Sequence, residues 1–133
     1  MYTMFFNLFK KKKTVATTEE KLNRMWELWA IGDLQTPVAK LMTYDSEVNN
    51  GGHSQYFDNV ANGGDLADEV EAVLSILPEP LRGNLNRAYT AFLTQDDMTD
   101  NGNDALLEEC DNIFYEQEQL LLDILYEDAK VLW

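Results

Sequence analysis

The chain has 133 residues, 45% of them hydrophobic and 11% aromatic, enough for one domain with a buried core and too apolar for a disordered acidic tail. Its formal net charge is −14, from 24 acidic against 10 basic side chains, with a pI near 4.2. That balance excludes sequence-independent binding of DNA or RNA, which needs Lys and Arg to replace phosphate counterions.

The charge is uneven. Residues 1–40 carry seven basic and four acidic side chains, a net of +3, and residues 41–133 carry three and twenty, a net of −17. Acidity of this size either keeps the chain soluble or steers basic partners toward it. The first stretch, Met1 to Phe9, is apolar and is followed by Lys10–Lys13. The order is the reverse of a secretory signal, and the run is far short of a membrane span. With one cysteine, no disulfide framework exists within the chain. The expectation is a cytoplasmic protein with a flexible tail over 1–13 and one domain over 14–133. Membrane contact by Phe5, Phe6, Leu8 and Phe9 beside the lysines is the less favoured reading of the tail.

Helical periodicity begins after the tail. Thr18 with Glu19 and Glu20 reads as a helix start, and Leu22, Met25, Trp26 and Trp29 form one apolar face before Gly32. Thr36-Pro37 reads as an N-cap with Pro at the first helical position, opening a helix with Val38, Leu41, Met42 and Val48 inward. Gly51-Gly52 breaks it. A short helix over His53–Asn62 follows, then a second break at Gly63-Gly64. Asp65 caps a helix with the stripe Leu66, Val70, Val73, Leu74 and Leu77, stopped by Pro78-Glu79-Pro80. Leu81, Leu85, Ala88, Tyr89, Phe92 and Leu93 mark another. Thr94 to Asn103 reads as a polar loop. A long segment from about Asp104 to Leu132 is helical, with a candidate break near Asp111. No segment alternates like a strand. The expected class is all-α, about six helices around one core.

On a helical wheel, Leu107, Cys110, Ile113, Phe114, Leu121, Ile124, Leu125 and Leu132 share one side of the last segment, with Cys110 read as a small buried hydrophobe. Asp104, Glu108, Glu116, Asp123 and Glu127 fall opposite. Residues 104–132 carry nine acids over about 43 Å, roughly one per 5 Å, against one phosphate per about 1.7 Å of duplex. One helix is therefore too dilute to imitate DNA alone. Asp65, Asp68, Glu69 and Glu71, or a second copy of the chain, would have to add to it. Asp96, Asp97 and Asp100 extend the candidate partner-binding face.

Two segments are motif-like. Asn49-Asn50-Gly51-Gly52-His53-Ser54-Gln55-Tyr56-Phe57-Asp58-Asn59 resembles the signature Asn-Gly-Gly-(aromatic)-x-Gln-Tyr-Phe-x-Asn of the bacterial DNA-mimic protein C-terminal-domain family, with His53 in place of the usual aromatic. Asp111-Asn112-Ile113-Phe114-Tyr115-Glu116 is similar to the Asp-x-x-Phe-Tyr segment before that family's last helix. The resemblance covers roughly residues 18–130. It implies an all-helical acidic domain, a possible homodimer, and carboxylates presented to the basic DNA-binding face of a partner such as a transcription factor. Physically, Gly51 and Gly52 permit positive φ where one helix ends and the next starts. Asn50 is placed to cap, Tyr56 and Phe57 to pack, and Gln55 and Asn59, one turn apart, to bond nearby backbone. Gln55, Asn59 and His53 could instead line a small polar pocket.

The residue inventory argues against catalysis. One His and one buried-looking Cys make no nucleophile and base pair, no phosphate loop is present, and no Cys and His set has zinc spacing. The expectation is no enzyme, no cofactor and no structural metal. Asp97, Asn101, Gly102 and Glu108 match positions 1, 5, 6 and 12 of a calcium loop, but Thr99 and Asp104 do not fit positions 3 and 8. The leading expectation is an interaction protein that binds a basic, DNA-binding protein and binds no nucleic acid itself. The alternatives are an immunity-type inhibitor of a basic toxin and a small-ligand domain built on the glycine motif.

Overall fold

A computed structural model describes residues 16–94 and 101–132. The described residues form five helices and no strand: α1 (Thr18–Ala30), α2 (Val38–Gly63), α3 (Leu66–Leu74), α4 (Leu81–Leu93) and α5 (Asn101–Leu132). The N-terminal tail and residues 95–100 lie outside that range.

Most ends follow local chemistry. α1 starts at Thr18, as its sequence indicates, and Thr17 is the cap. The Thr17 side chain accepts from Glu20 N–H, and the Glu20 carboxylate accepts from Thr17 N–H, a complete capping box. Asp65 caps α3 by accepting from Asp68 N–H. Thr36 makes no side-chain cap, and Pro37 itself occupies the cap position of α2.

The glycine break is a kink, not a gap. Helical hydrogen bonding resumes directly after Gly51 and Gly52, whose backbone angles alone are non-helical. Counting the two arms of α2 separately recovers the six helices expected. α5 runs without a break past Asp111.

α5 is the organising element. It packs on α1, α2 and α4, while α3 packs only on α2 and α4. The buried side of α5 is Leu107, Cys110, Phe114, Leu121, Leu125 and Ala129, with Ile113 and Ile124 half-buried. Tyr44, Tyr56 and Phe57 of α2 meet Phe114 and Phe92 in edge-on and tilted ring contacts 4.9–5.4 Å between centroids. Leu93, expected inward, is exposed, and Ala91 takes the buried position.

The core contains one polar orphan of use for a test. The Tyr56 hydroxyl is buried without a hydrogen-bond partner. Removing an unpaired hydroxyl removes its desolvation cost and leaves the ring in place. Tyr56→Phe is therefore expected to be neutral or stabilising by up to about 1 kcal/mol in urea unfolding.

Candidate functional site

The two motif segments lie 58 residues apart in sequence and meet at the α2 kink. Gly52 has φ +81, a conformation that side chains with a Cβ rarely adopt. A Cβ there would also lie 2.5 Å from Asp111 Oδ2. The glycine thus serves twice, turning the chain and letting the α5 carboxylate approach the backbone.

Asp111 uses that approach. Its Oδ1 accepts from His53 N–H at 2.8 Å and from the His53 ring Nδ1 at 2.7 Å. His53 is fully buried, and its Nε2 lies 2.7 Å from the Tyr44 hydroxyl. Burial holds the Tyr44 hydroxyl well above its usual range, so it stays protonated. A carboxylate can only accept, so the ring Nδ1–H donates to Asp111, and that tautomer leaves Nε2 to accept from Tyr44 O–H. The chain Tyr44–His53–Asp111 is satisfied at every atom and ties α2 to α5.

Two further polar contacts extend the seam to one side of this pair. Tyr115 O–H donates to Val48 C=O at 3.0 Å. Asn49 Nδ2 donates to Glu118 at 2.7 Å and to the backbone and side chain of Asp45. Asp45 is buried beside Glu118, and its carboxyl is pushed up to about 8, by burial first and then by the hydrogen bond and charge of Glu118. A proton on Asp45 lets the two carboxyl groups share a hydrogen bond.

This pair has a pH consequence. The folded value lies above the unfolded one of about 3.8, so the contribution is complete below about pH 4 and is lost as pH rises toward 8. Asp45→Asn keeps a donor toward Glu118 at every pH. The variant is expected to lose much of the wild-type decline in stability between about pH 4 and 8, and to be the more stable protein at pH 9. Unfolding midpoints across that range check it.

The remaining motif amides act outside this seam. Gln55 and Asn59 both donate to Glu47 Oε1, at 2.8 and 2.9 Å, so they bond a side chain and not the backbone. His53 is buried in the core while Gln55 and Asn59 bond Glu47, so among the described residues the histidine and the two amides are turned to different partners. Asn50 is exposed and is not a cap; α2 continues past it. Asp45, Glu47, Tyr44 and Glu118 were not singled out from sequence. The available signal was Asp111 and Glu118, seven residues apart on the core-facing edge of the α5 wheel.

The acidic residues divide into two groups. Asp104, Glu108, Glu116, Asp123 and Glu127 are all exposed along α5, as the wheel places them. Asp123 accepts from Gln119, and Glu127 pairs with Lys130 one turn on. Glu109 is also exposed and pairs with Arg87 of α4 at 3.6 Å. Asp65, Asp68 and Glu71 are exposed on α3, and Glu69 is half-buried against Lys40 at 3.7 Å. Because α3 and α5 do not touch, these two groups do not adjoin along a helix–helix seam. Asp96, Asp97 and Asp100 lie outside the described residues. Asn101 to Glu108 is already helix, where a calcium loop would still be loop at its fifth to eighth positions. Among the described residues no group of three His, Cys, Asp or Glu is placed to hold a metal.

The family described as DMP19-like protein matches residues 32–129, which takes in the kink, its α5 partners and the whole exposed acidic stripe of α5. The chain belongs to that family. No curated protein and no solved structure matches it. The two motif segments have a mechanical explanation in this chain. Gly52 and Asp111 share one close approach, Phe114 packs under His53, and Tyr115 holds the Val48 carbonyl. The motif residues are therefore joints of the scaffold that presents α5. None of the described helices is long and apolar enough to cross a membrane.

Proposed function

We propose that this DMP19-like chain is a non-enzymatic interaction protein that binds a basic, DNA-binding protein through the exposed acidic side of α5 and so keeps that protein from DNA. The observation that carries the reading is the α5 stripe. Five carboxylates from Asp104 to Glu127 are exposed along one unbroken helix, which three other helices hold from behind. A rigid row of like charge costs little to present once the scaffold is folded, and it steers cationic partners.

The family name agrees with this reading, and two features refine it. The five carboxylates of the α5 stripe fall roughly one per 7 Å, about fourfold sparser than duplex phosphate. Since α3 is not its neighbour, the added charge has to come from elsewhere, with a second copy of the chain as the natural source. The glycine-motif region is a poor ligand site, because its polar side chains bond one another and Glu47.

The test is capture of a purified basic DNA-binding domain on the immobilised chain. Binding is expected at ~50 mM salt, to be lost by ~500 mM, and to be reversed by competing duplex DNA. Equal retention at both salt concentrations, or no competition by DNA, contradicts the proposal.

A further inference from the structure

A groove of about 510 Å³ opens where α1, the link to α2 and the last turns of α5 meet. Leu28, Leu34, Val38 and Val131 form its aliphatic wall, and Asp33 and Asp128 stand in it. Val131 is 82% exposed, a large loss of apolar burial for a residue so close to a packed helix end. Neither Asp33 nor Asp128 has an ion-pair or side-chain hydrogen-bond partner among the described residues. We propose that this groove is the docking site of the chain's own N-terminal segment, Phe5–Lys13, with its aromatic rings on the aliphatic wall and its lysines at Asp33 and Asp128.

Chemistry, charge and reach agree on that occupant. The segment joins Phe5, Phe6, Leu8 and Phe9 to Lys10–Lys13, and it is the one stretch of the sequence that pairs an apolar run with a block of cations. The groove presents the complement, an apolar wall with two carboxylates and no cation. Burial raises the Asp128 carboxyl, and an ammonium beside it would favour its charged form. From Thr18 to Leu28 is about 15 Å along α1. The seven residue-to-residue steps from Phe9 to Ala16 reach about 23 Å when extended, long enough for the segment to double back along α1 into the groove. Lys21 Nζ already donates to Lys130 C=O, which brings the first turn of α1 beside the end of α5. Docked there, the lysines cut the negative field at the C-terminal end of the acidic stripe. The inference does not depend on the identity of any partner.

The test uses the full chain. Methyl resonances of Leu28, Leu34, Val38 and Val131 are expected to shift when Phe5, Phe6 and Phe9 are together replaced by Ser, with the circular dichroism unchanged. A synthetic peptide of residues 1–15 is expected to bind that variant at least ~10-fold more tightly than the wild type, where the tethered copy competes. Asp128→Asn, added to the variant, should weaken the peptide about threefold at low salt. Unmoved methyl resonances, or equal peptide affinity for both proteins, overturn the proposal. Shifts that grow with protein concentration place a second copy's segment in the groove and overturn the intramolecular form.

Discussion

Gly52→Ala is expected to destabilise the fold by about 3–5 kcal/mol. Two costs combine. The backbone sits at φ +81, where a Cβ costs about 1–2 kcal/mol. The new methyl carbon would lie 2.5 Å from Asp111 Oδ2, and moving that carboxylate breaks its bonds to His53 N–H and Nδ1–H. Each bond to a charged group contributes about 1.5–3 kcal/mol. Gly63→Ala is the control. Nothing lies within 4 Å of a Cβ there and its φ is not positive, so the change should be within about 0.5 kcal/mol of neutral. Urea unfolding of both variants checks the difference. A Gly52→Ala protein as stable as wild type would mean that the close approach at the kink is not formed.

Asp111→Ala is the second large effect, about 3 kcal/mol. It leaves the backbone N–H and the ring Nδ1–H of a fully buried His53 without an acceptor. Asp111→Asn keeps an acceptor oxygen and should cost about half as much. Tyr44→Phe removes only the hydroxyl at Nε2 and should cost about 1–2 kcal/mol. Because the three groups form one chain, the double variant Asp111→Ala with Tyr44→Phe should cost less than the sum of the two. Additivity would show that the two ends of the histidine act independently.

These variants also separate scaffold from surface. The Gly-Gly, Gln-Tyr-Phe and Asp-x-x-Phe-Tyr segments could be read as a binding site, yet their side chains are held within α2 and across the α2–α5 seam. Losing them should unfold the presenting helix, and binding should fall only as far as the folded fraction falls. The carboxylates of α5 should behave in the opposite way. Neutralising them removes like-charge pairs one turn apart, such as Asp104 with Glu108 and Asp123 with Glu127, which are mildly destabilising.

Local patterns were enough for much of this architecture. The 3.6-residue stripe placed the exposed acids of α5 and the buried Cys110, and Asp65 was recognisable as a cap from its position before an apolar stripe. Long-range pairings were not available in the same way. Spacing within α2 cannot show that the partner of His53 is a carboxylate 58 residues on, or that Asp45 is buried beside Glu118. The candidate break near Asp111 is not formed, although a charged residue faces the core side there. The helix continues because that charge has a buried partner. The acids of α3 were grouped with those of α5 because both are acidic, whereas packing order, with α4 and α2 in contact with both, decides what adjoins what. Gln55 and Asn59 have the right spacing to act together, and they do, but on Glu47.

The central claim is that binding resides in one face and not in the net charge of −14. The direct measurement is the affinity of a basic DNA-binding domain for three proteins at one low salt concentration. They are the wild type, a variant with Asp104, Glu108, Glu116, Asp123 and Glu127 replaced by their amides, and a variant with Asp65, Asp68, Glu69 and Glu71 replaced in the same way. The account predicts a loss of ~100-fold or more for the α5 variant and a few-fold at most for the α3 variant. Equal losses per charge removed, or an α5 variant that binds as the wild type does, would contradict it.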